Sequence, residues 1–221
     1  MRKSLVPLLL AAILLVVQAG ASVVTSIPGG TVIAMPSVDY FGPGPQTFGA
    51  GSFAVTWTST NAFNGGGAAF GYAGTYGPYS FVNNGQWTGA MGPMAALNDS
   101  TDDYGSTDSM TFAFATPVRA VGGFLNYVPG ASTPTTIAVW DSNGILIEAF
   151  DLSFTTGGGN DTGSFYGFQE PTANISYFTL SDNYVGITNL TASAVPEPGS
   201  LLLIGSGFLG VIGYGRRRLR P

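Results

Sequence analysis

The residue types able to do chemistry are few and unevenly placed. Between the segments at the two ends of the chain there is no His, Cys or Lys. Nucleophilic triads, imidazole or thiolate metal sites and Schiff bases therefore have no residues to build them. Carboxylates, amides, hydroxyls and aromatic rings remain. The densest group of acids lies in Asn98-Asp99-Ser100-Thr101-Asp102-Asp103-Tyr104-Gly105-Ser106-Thr107-Asp108, where Asp99, Asp102, Asp103 and Asp108 offer the hard oxygen ligands that Ca²⁺ prefers. The spacing lacks the glycine offset and closing Glu of an EF-hand, and the competing reading is a solvated acidic loop. The second group is aromatic. Tyr72, Tyr76, Tyr79 and Trp87 are interleaved with glycines, as on loops that stack flat rings against sugars, and the competing reading is core packing.

A pair of carboxylates facing across a cleft would make a glycosidase. The acids sit mostly in turn-like contexts, Asp141 and Asp182 in turns and Asp161 in a Gly-rich loop. No acid pair embedded in apolar sequence stands out, so the expectation is a protein that is not an enzyme, with a carboxylate glycosidase as the alternative.

Two terminal segments must be set aside before the rest is read. Arg2 and Lys3, then an apolar run from Leu5 to Val17, then Ala19-Gly20-Ala21 have the order of a signal peptide cleaved after Ala21, giving residues 1–21 as leader. A retained N-terminal anchor is the competing reading. At the other end, AVPEPGSLLLIGSGFLGVIGYGRRRLRP (194–221) joins a Pro-Glu-Pro sequence, an apolar stretch and four arginines. Gly205, Gly207 and Gly210 spell G-x-G-x-x-G, but no acid follows for a ribose, so the dinucleotide reading fails. Leu201 to Tyr214 reads as a single membrane helix at the short limit of what spans a bilayer. Arg216, Arg217, Arg218 and Arg220 would hold its end on the cytoplasmic side.

Eleven carboxylates and the single Arg119 leave the body between these segments with a formal charge of −10. Such a surface repels nucleic acid, which is excluded as a partner. Without cysteine, stability must come from a packed core.

The body alternates as half-buried strands do. Phe53, Val55 and Trp57 share one face, as do Met110, Phe112 and Phe114. Pro117 to Tyr127 reads as one strand with a bulge or close approach at Gly122 and Gly123. Ile137–Trp140 and Ile145–Phe150 flank Asp141-Ser142-Asn143-Gly144, a hairpin signature. Phe165–Phe168, Ile175–Leu180 and Val185–Thr191 are further strands, and Phe63 to Trp87 reads as long loops. Many short strands at about ten-residue spacing argue an all-β sandwich or jelly roll over residues 22–193.

The order Val195-Pro196-Glu197-Pro198-Gly199-Ser200, apolar helix, Arg216-Arg217-Arg218 closely resembles the PEP-CTERM sorting signal of exopolysaccharide-producing Gram-negative bacteria. The resemblance implies that Pro196, Glu197 and Pro198 form the element read and processed by exosortase, a membrane cysteine protease. The body would be held at the inner membrane outside the cytoplasm and then passed to the cell surface or exopolysaccharide matrix. Two prolines disfavour helix where the membrane segment begins and leave an extended backbone for a protease. A plain tail anchor is the competing reading. The segments 110–127, 136–150 and 177–193 resemble galactose-binding-like β-sandwich ectodomains of such proteins, with Thr188 where those often carry an acid. The function expected is structural or adhesive, with polysaccharide as the contact.

Overall fold

The computed structural model describes residues 21–61, 67–97, 108–130, 134–181 and 184–194. Residues 1–20 of the expected leader, the sorting element, the apolar segment 201–214, its arginines and Asp99, Asp102, Asp103 and Asp182 lie outside the described residues. Among the described residues no helix is long and apolar enough to cross a membrane.

The described chain is all-β, as the alternating pattern predicts. Its strands in order are β1 (Ser22–Val24), β2 (Thr31–Val32), β3 (Tyr40–Phe41), β4 (Gln46–Phe48), β5 (Val55–Ser59), β6 (Ala68–Tyr72), β7 (Tyr79–Ser80) and β8 (Gln86–Trp87). They continue with β9 (Met94–Leu97), β10 (Ser109–Val118), β11 (Ala120–Tyr127), β12 (Thr136–Trp140), β13 (Leu146–Asp151), β14 (Ser164–Gln169), β15 (Ile175–Ser181) and β16 (Val185–Ser193). One sheet has the order β1-β14-β11-β16-β9-β6-β3 with β2 also on β16, and the other β13-β12-β15-β10-β5-β4. All pairings within them are antiparallel.

The main core lies between these sheets. Val55, Trp57, Met110, Phe112 and Phe114 of one sheet meet Phe70, Leu97, Leu125, Phe168, Ile187 and Leu190 of the other. Burying such side chains stabilises by about 1.5–3 kcal/mol each before the entropy of ordering them is counted.

Two sequence expectations change. The strand expected over Pro117 to Tyr127 is split at Arg119, between β10 in one sheet and β11 in the other. The Gly122-Gly123 irregularity is present as a register shift between β11 and β16. The segment expected as long loops contains β6, buried along its whole length, and the β7–β8 ribbon. Ala68 and Phe70 point into the main core, whereas Ala69 and Tyr72 point out of the sandwich, with the register shifting between Phe70 and Tyr72. The chain from 73 to 93 covers this outer face. Phe81, Trp87 and Met94 join Ala69 and Tyr72 in a second core, with Phe124 and Val128 packed against it.

A single position on β16 makes room for that cover. A Cβ on Gly186 would stand 2.8 Å from both Phe81 Cζ and Trp87 Cζ3, closer than packed atoms tolerate.

Candidate functional site

One end of the sandwich carries a polar groove built from two segments far apart in sequence. The first is the β7–β8 ribbon with the single 3₁₀ turn Val82–Asn84 at its tip. The second is the loop from Thr155 to Gly163. Asn84 joins them. Its Nδ2 donates to Asn126 Oδ1 at 2.7 Å and to the Tyr127 carbonyl at 3.1 Å, and its Oδ1 accepts the Thr156 N–H at 2.7 Å. Asn126 Nδ2 returns a bond to the Asn84 carbonyl at 2.8 Å and a second to the Thr162 carbonyl at 3.1 Å. Asn84 and Asn126 are 1 % and 0 % exposed, so the network is internal and its members satisfy one another.

Backbone pairing extends the clamp. Gln86 N–H donates to the Gly159 carbonyl at 2.9 Å and Asp161 N–H to the Gln86 carbonyl at 2.6 Å. The Asp161 carboxylate accepts from Thr88 N–H at 2.9 Å and Thr88 Oγ1 at 2.7 Å, and Trp87 Nε1 donates to the Thr162 carbonyl at 2.5 Å. Gly85, at φ 97°, admits this approach, since a Cβ there would lie 2.5 Å from the Gly159 carbonyl oxygen.

Above this floor lies a groove of about 290 Å³ lined by Ser80, Asn83, Gln86 and Asn160 with backbone at Gly85, Gly158 and Gly159. A smaller hollow of about 200 Å³ beside it is lined by Asn83, Asn84, Val128, Pro129, Thr155 and Gly157. Val82 stands between the two, 65 % exposed and with φ 53°. A β-branched residue rarely adopts positive φ, and such local strain clusters at functional sites. No ionisable side chain lines either hollow. The site offers amide donors and acceptors, a hydroxyl, peptide edges and one aliphatic side chain, which suits recognition of hydroxyl groups and supplies no general acid or base.

The four aromatic residues expected as a platform gather around the second core, most of them with their ring faces covered. Trp87 and Tyr72, 2 % and 6 % exposed, belong to the second core, so neither presents a free ring face as a sugar platform requires. Tyr79 packs against the same core and donates its hydroxyl to the Leu97 carbonyl. Only Tyr76 stands in solvent, 76 % exposed, with its ring stacked on Tyr72 at 6.5 Å and beside Phe41 at 5.9 Å. Of the expected calcium ligands, Asp108 is described; its carboxylate accepts from Asn61 Nδ2 at 2.7 Å and Thr60 Oγ1 at 3.2 Å. Of the expected cleavage residues, Ala19 lies outside the described residues and Ala21 packs partly against the main core. Thr188 is buried and donates to the Pro93 carbonyl at 3.0 Å.

Three other carboxylates have shifted pKa values. Backbone N–H donors from Ile145 and Asn143 hold Asp141 below the ordinary carboxylate value, as expected of the residue that organises the β12–β13 turn. Desolvation pushes Glu148 up. It pushes Glu170 up as well, where the Asn174 side chain opposes the shift and the negative charge of Glu148 adds to it. The sequence reading missed Asn84, Asn126 and Thr156. The available signal was the Asn-Asn-Gly at 83–85 between aromatic residues, a turn composition in an otherwise apolar neighbourhood.

At the opposite end, β16 lies between β11 and β9 and ends at Ser193, whose carbonyl accepts the Arg119 N–H at 2.8 Å. The segment 195–221 continues from this strand. No curated protein and no solved structure matches the chain. A family model, the PEP-CTERM protein-sorting motif, matches residues 194–218, beginning one residue after the strand ends. The chain is therefore an exported protein carrying, directly behind its all-β domain, the C-terminal motif by which exosortase substrates are anchored and sorted.

Proposed function

We propose that this protein is a non-enzymatic component of the cell surface or exopolysaccharide matrix that holds a neutral polysaccharide in the groove between the Val82–Asn84 turn and the 155–163 loop. The observation that carries the reading is the amide-lined groove on a locked floor. Gln86 Nε2 donates to Asn160 Oδ1 at 2.6 Å, which leaves the Asn83 amide, the Gln86 oxygen and the Asn160 amino group as the donors and acceptors that sugar hydroxyls need. Because the floor is held by buried hydrogen bonds, little ordering entropy is lost on binding. The body's charge of −10 disfavours a polyanion and leaves a neutral glycan as the fitting class.

The glycosidase alternative needs carboxylates that a sugar ring can reach. Among the described residues the two acids with raised pKa values are Glu148 and Glu170. Glu170 is only 5 % exposed, and neither lines the groove. This favours binding over hydrolysis.

The test is affinity electrophoresis of the full chain through gels containing dextran, a galactan or a mannan, with alginate as the anionic comparison. Retardation by a neutral polymer is expected, abolished by the double substitution Asn83→Ala and Asn160→Ala, since both residues are exposed and outside the buried network. Migration unaffected by every neutral polymer, or retardation that the double variant retains, refutes the assignment.

A further inference from the structure

A second cluster lies between β13, the edge of one sheet, and β14, the second strand of the other, away from the groove. β13 is the edge strand of its sheet, and its register sets Glu148 opposite Val139 and Phe150 opposite Ile137. Cross-strand partners share a face. Val139 and Ile137 are core residues, so Glu148 and Phe150 point into the sandwich. On β14, Tyr166 and Phe168 face the core, and Glu170 continues that alternating row one step past the strand. The Phe150 and Tyr166 rings stack at 5.7 Å, so the two rows face each other and bring the two glutamates to one place.

The Asn174 side chain donates a hydrogen bond to the Glu170 carboxylate, which places it beside the two glutamates. One oxygen of each residue is still left over: Glu148 Oε2, Glu170 Oε1 and Asn174 Oδ1 are buried and accept no hydrogen bond. Glu170 is 5 % exposed. Arg119, the only Lys or Arg among the described residues, gives its Nε–H to the backbone carbonyl of Glu170 at 2.9 Å, not to a carboxylate. An inward charge on an edge strand guards against edge-to-edge pairing, which accounts for Glu148 alone. It leaves the buried Glu170 and the unpartnered Asn174 oxygen unexplained.

The geometry points to a divalent-cation site of the calcium class between β13 and the end of β14, with Glu148, Glu170 and Asn174 as protein ligands and water completing the shell. Two carboxylates neutralise one divalent ion, and the three oxygens are of the hard type that Ca²⁺ takes. The destination suits it, because a protein exported from the cell meets Ca²⁺ concentrations at which an extracellular module with Kd of about 10⁻⁴–10⁻³ M is occupied. The site is also near the end that carries the sorting motif. Ser193 accepts from Arg119 N–H, and the Arg119 carbonyl accepts from Glu170 N–H at 2.8 Å.

The experiment is calorimetric titration of the purified full chain with CaCl₂ at neutral pH, paired with thermal melting in EDTA and in 10 mM CaCl₂. The expected result is binding that weakens at least tenfold in Glu148→Gln and in Glu170→Gln. It should persist in the triple variant Asp99→Asn, Asp102→Asn, Asp103→Asn. CaCl₂ should raise the melting temperature of the wild type and of the triple variant, and leave E148Q and E170Q unmoved. Binding that survives both glutamine substitutions, or is lost only in the triple variant, overturns the assignment. So does a wild type that binds no Ca²⁺, including the case in which cleavage after Ala21 frees an ammonium at Ser22, beside Gln169 on β14, to neutralise Glu170 instead.

Discussion

Substitution of Asn84 tests whether the groove floor is held by the buried amide network. Asn84→Ala removes two donated bonds, to Asn126 Oδ1 and the Tyr127 carbonyl, and one accepted bond from Thr156 N–H. Each is worth about 1 kcal/mol net, and buried groups that lose a partner add about 1–3 kcal/mol of desolvation between them, which gives roughly 4–6 kcal/mol. For a domain of this size that corresponds to a fall in Tm of roughly 8–24 °C. The assay is urea unfolding followed by tryptophan fluorescence, where the midpoint should fall at nearly constant slope. Asn83→Ala, one residue earlier but exposed, should stay within about 0.5 kcal/mol of wild type. Asn84→Asp adds a signature that a cavity alone lacks. Its carboxylate would face the Asn126 and Tyr127 oxygens that Nδ2 now serves, so its folded-state pKa would be raised. The variant should then be most stable below the unfolded-state Asp value of about 3.9 and lose stability as pH rises through the raised value. An Asn84→Ala midpoint within about 1 kcal/mol of wild type would refute the claim that this residue holds the two segments together.

Gly186→Ala should destabilise by about 1–3 kcal/mol in the same assay, because its Cβ would meet Phe81 and Trp87 at 2.8 Å; a neutral result would mean the 73–93 cover shifts freely on β16. In EDTA, stability should fall as pH rises above 4.5, since desolvation raises the folded-state pKa of Glu148 and Glu170, and a pH series of urea midpoints should show this slope flattened in Glu148→Gln. Asp141 acts in the opposite direction and in another window. Its pKa is lowered from 3.8, so its stabilisation is present above that value and is lost as pH falls through the lowered folded-state pKa, which Asp141→Asn should remove from the acid limb of the same series.

How much was legible in the sequence depends on whether the determining contacts are local. The β12–β13 hairpin was readable because Asp141-Ser142-Asn143-Gly144 closes it within four residues: Asp141 Oδ1 accepts from Asn143 and Ile145 N–H at 2.8 Å, and Gly144 takes φ 74°. The strand carrying Met110, Phe112 and Phe114 was readable because one face is buried and the other is not. The cover over β16 was not. Its glycines and aromatics suit a loop locally, and what orders them is the outer face of strands about 100 residues later, where Gly186 leaves room. The inward aim of Glu148 was hidden for another reason. The run from Ile145 to Phe150 is apolar on both faces, and β13 changes register against β12 between Leu146 and Glu148, so only the observed pairing shows which way the carboxylate turns. The groove residues are amides and glycines, types that loops use everywhere, and their meaning comes from a pairing of segments more than 70 residues apart.

The strand registers also give the domain a polarity relative to its sorting motif. Ala120, at the start of β11, pairs with Ser193, whereas Tyr127 at its end pairs with Val185. Eight residues at about 3.3 Å each place the Asn126–Asn84 network roughly 25 Å from the point where the motif leaves the fold. The groove and the start of the motif thus lie at opposite ends of the sandwich. Pro196 is three residues beyond Ser193, so extended backbone can carry it no more than about 10 Å from the strand end. A protease working at Pro196–Pro198 must therefore approach the end of the sandwich that carries Arg119 and Glu170. If that end crowds the protease, inserting ten Gly/Ser residues between Ser193 and Pro196 should speed processing in cells. Substituting Pro196, Glu197 and Pro198 by alanine should stop it. Intact-mass and pulse-chase measurements read both variants. An insertion that leaves the rate unchanged would show that the enzyme already reaches the motif without contacting the fold, and an alanine variant processed at the wild-type rate would remove Pro-Glu-Pro from the recognition element altogether.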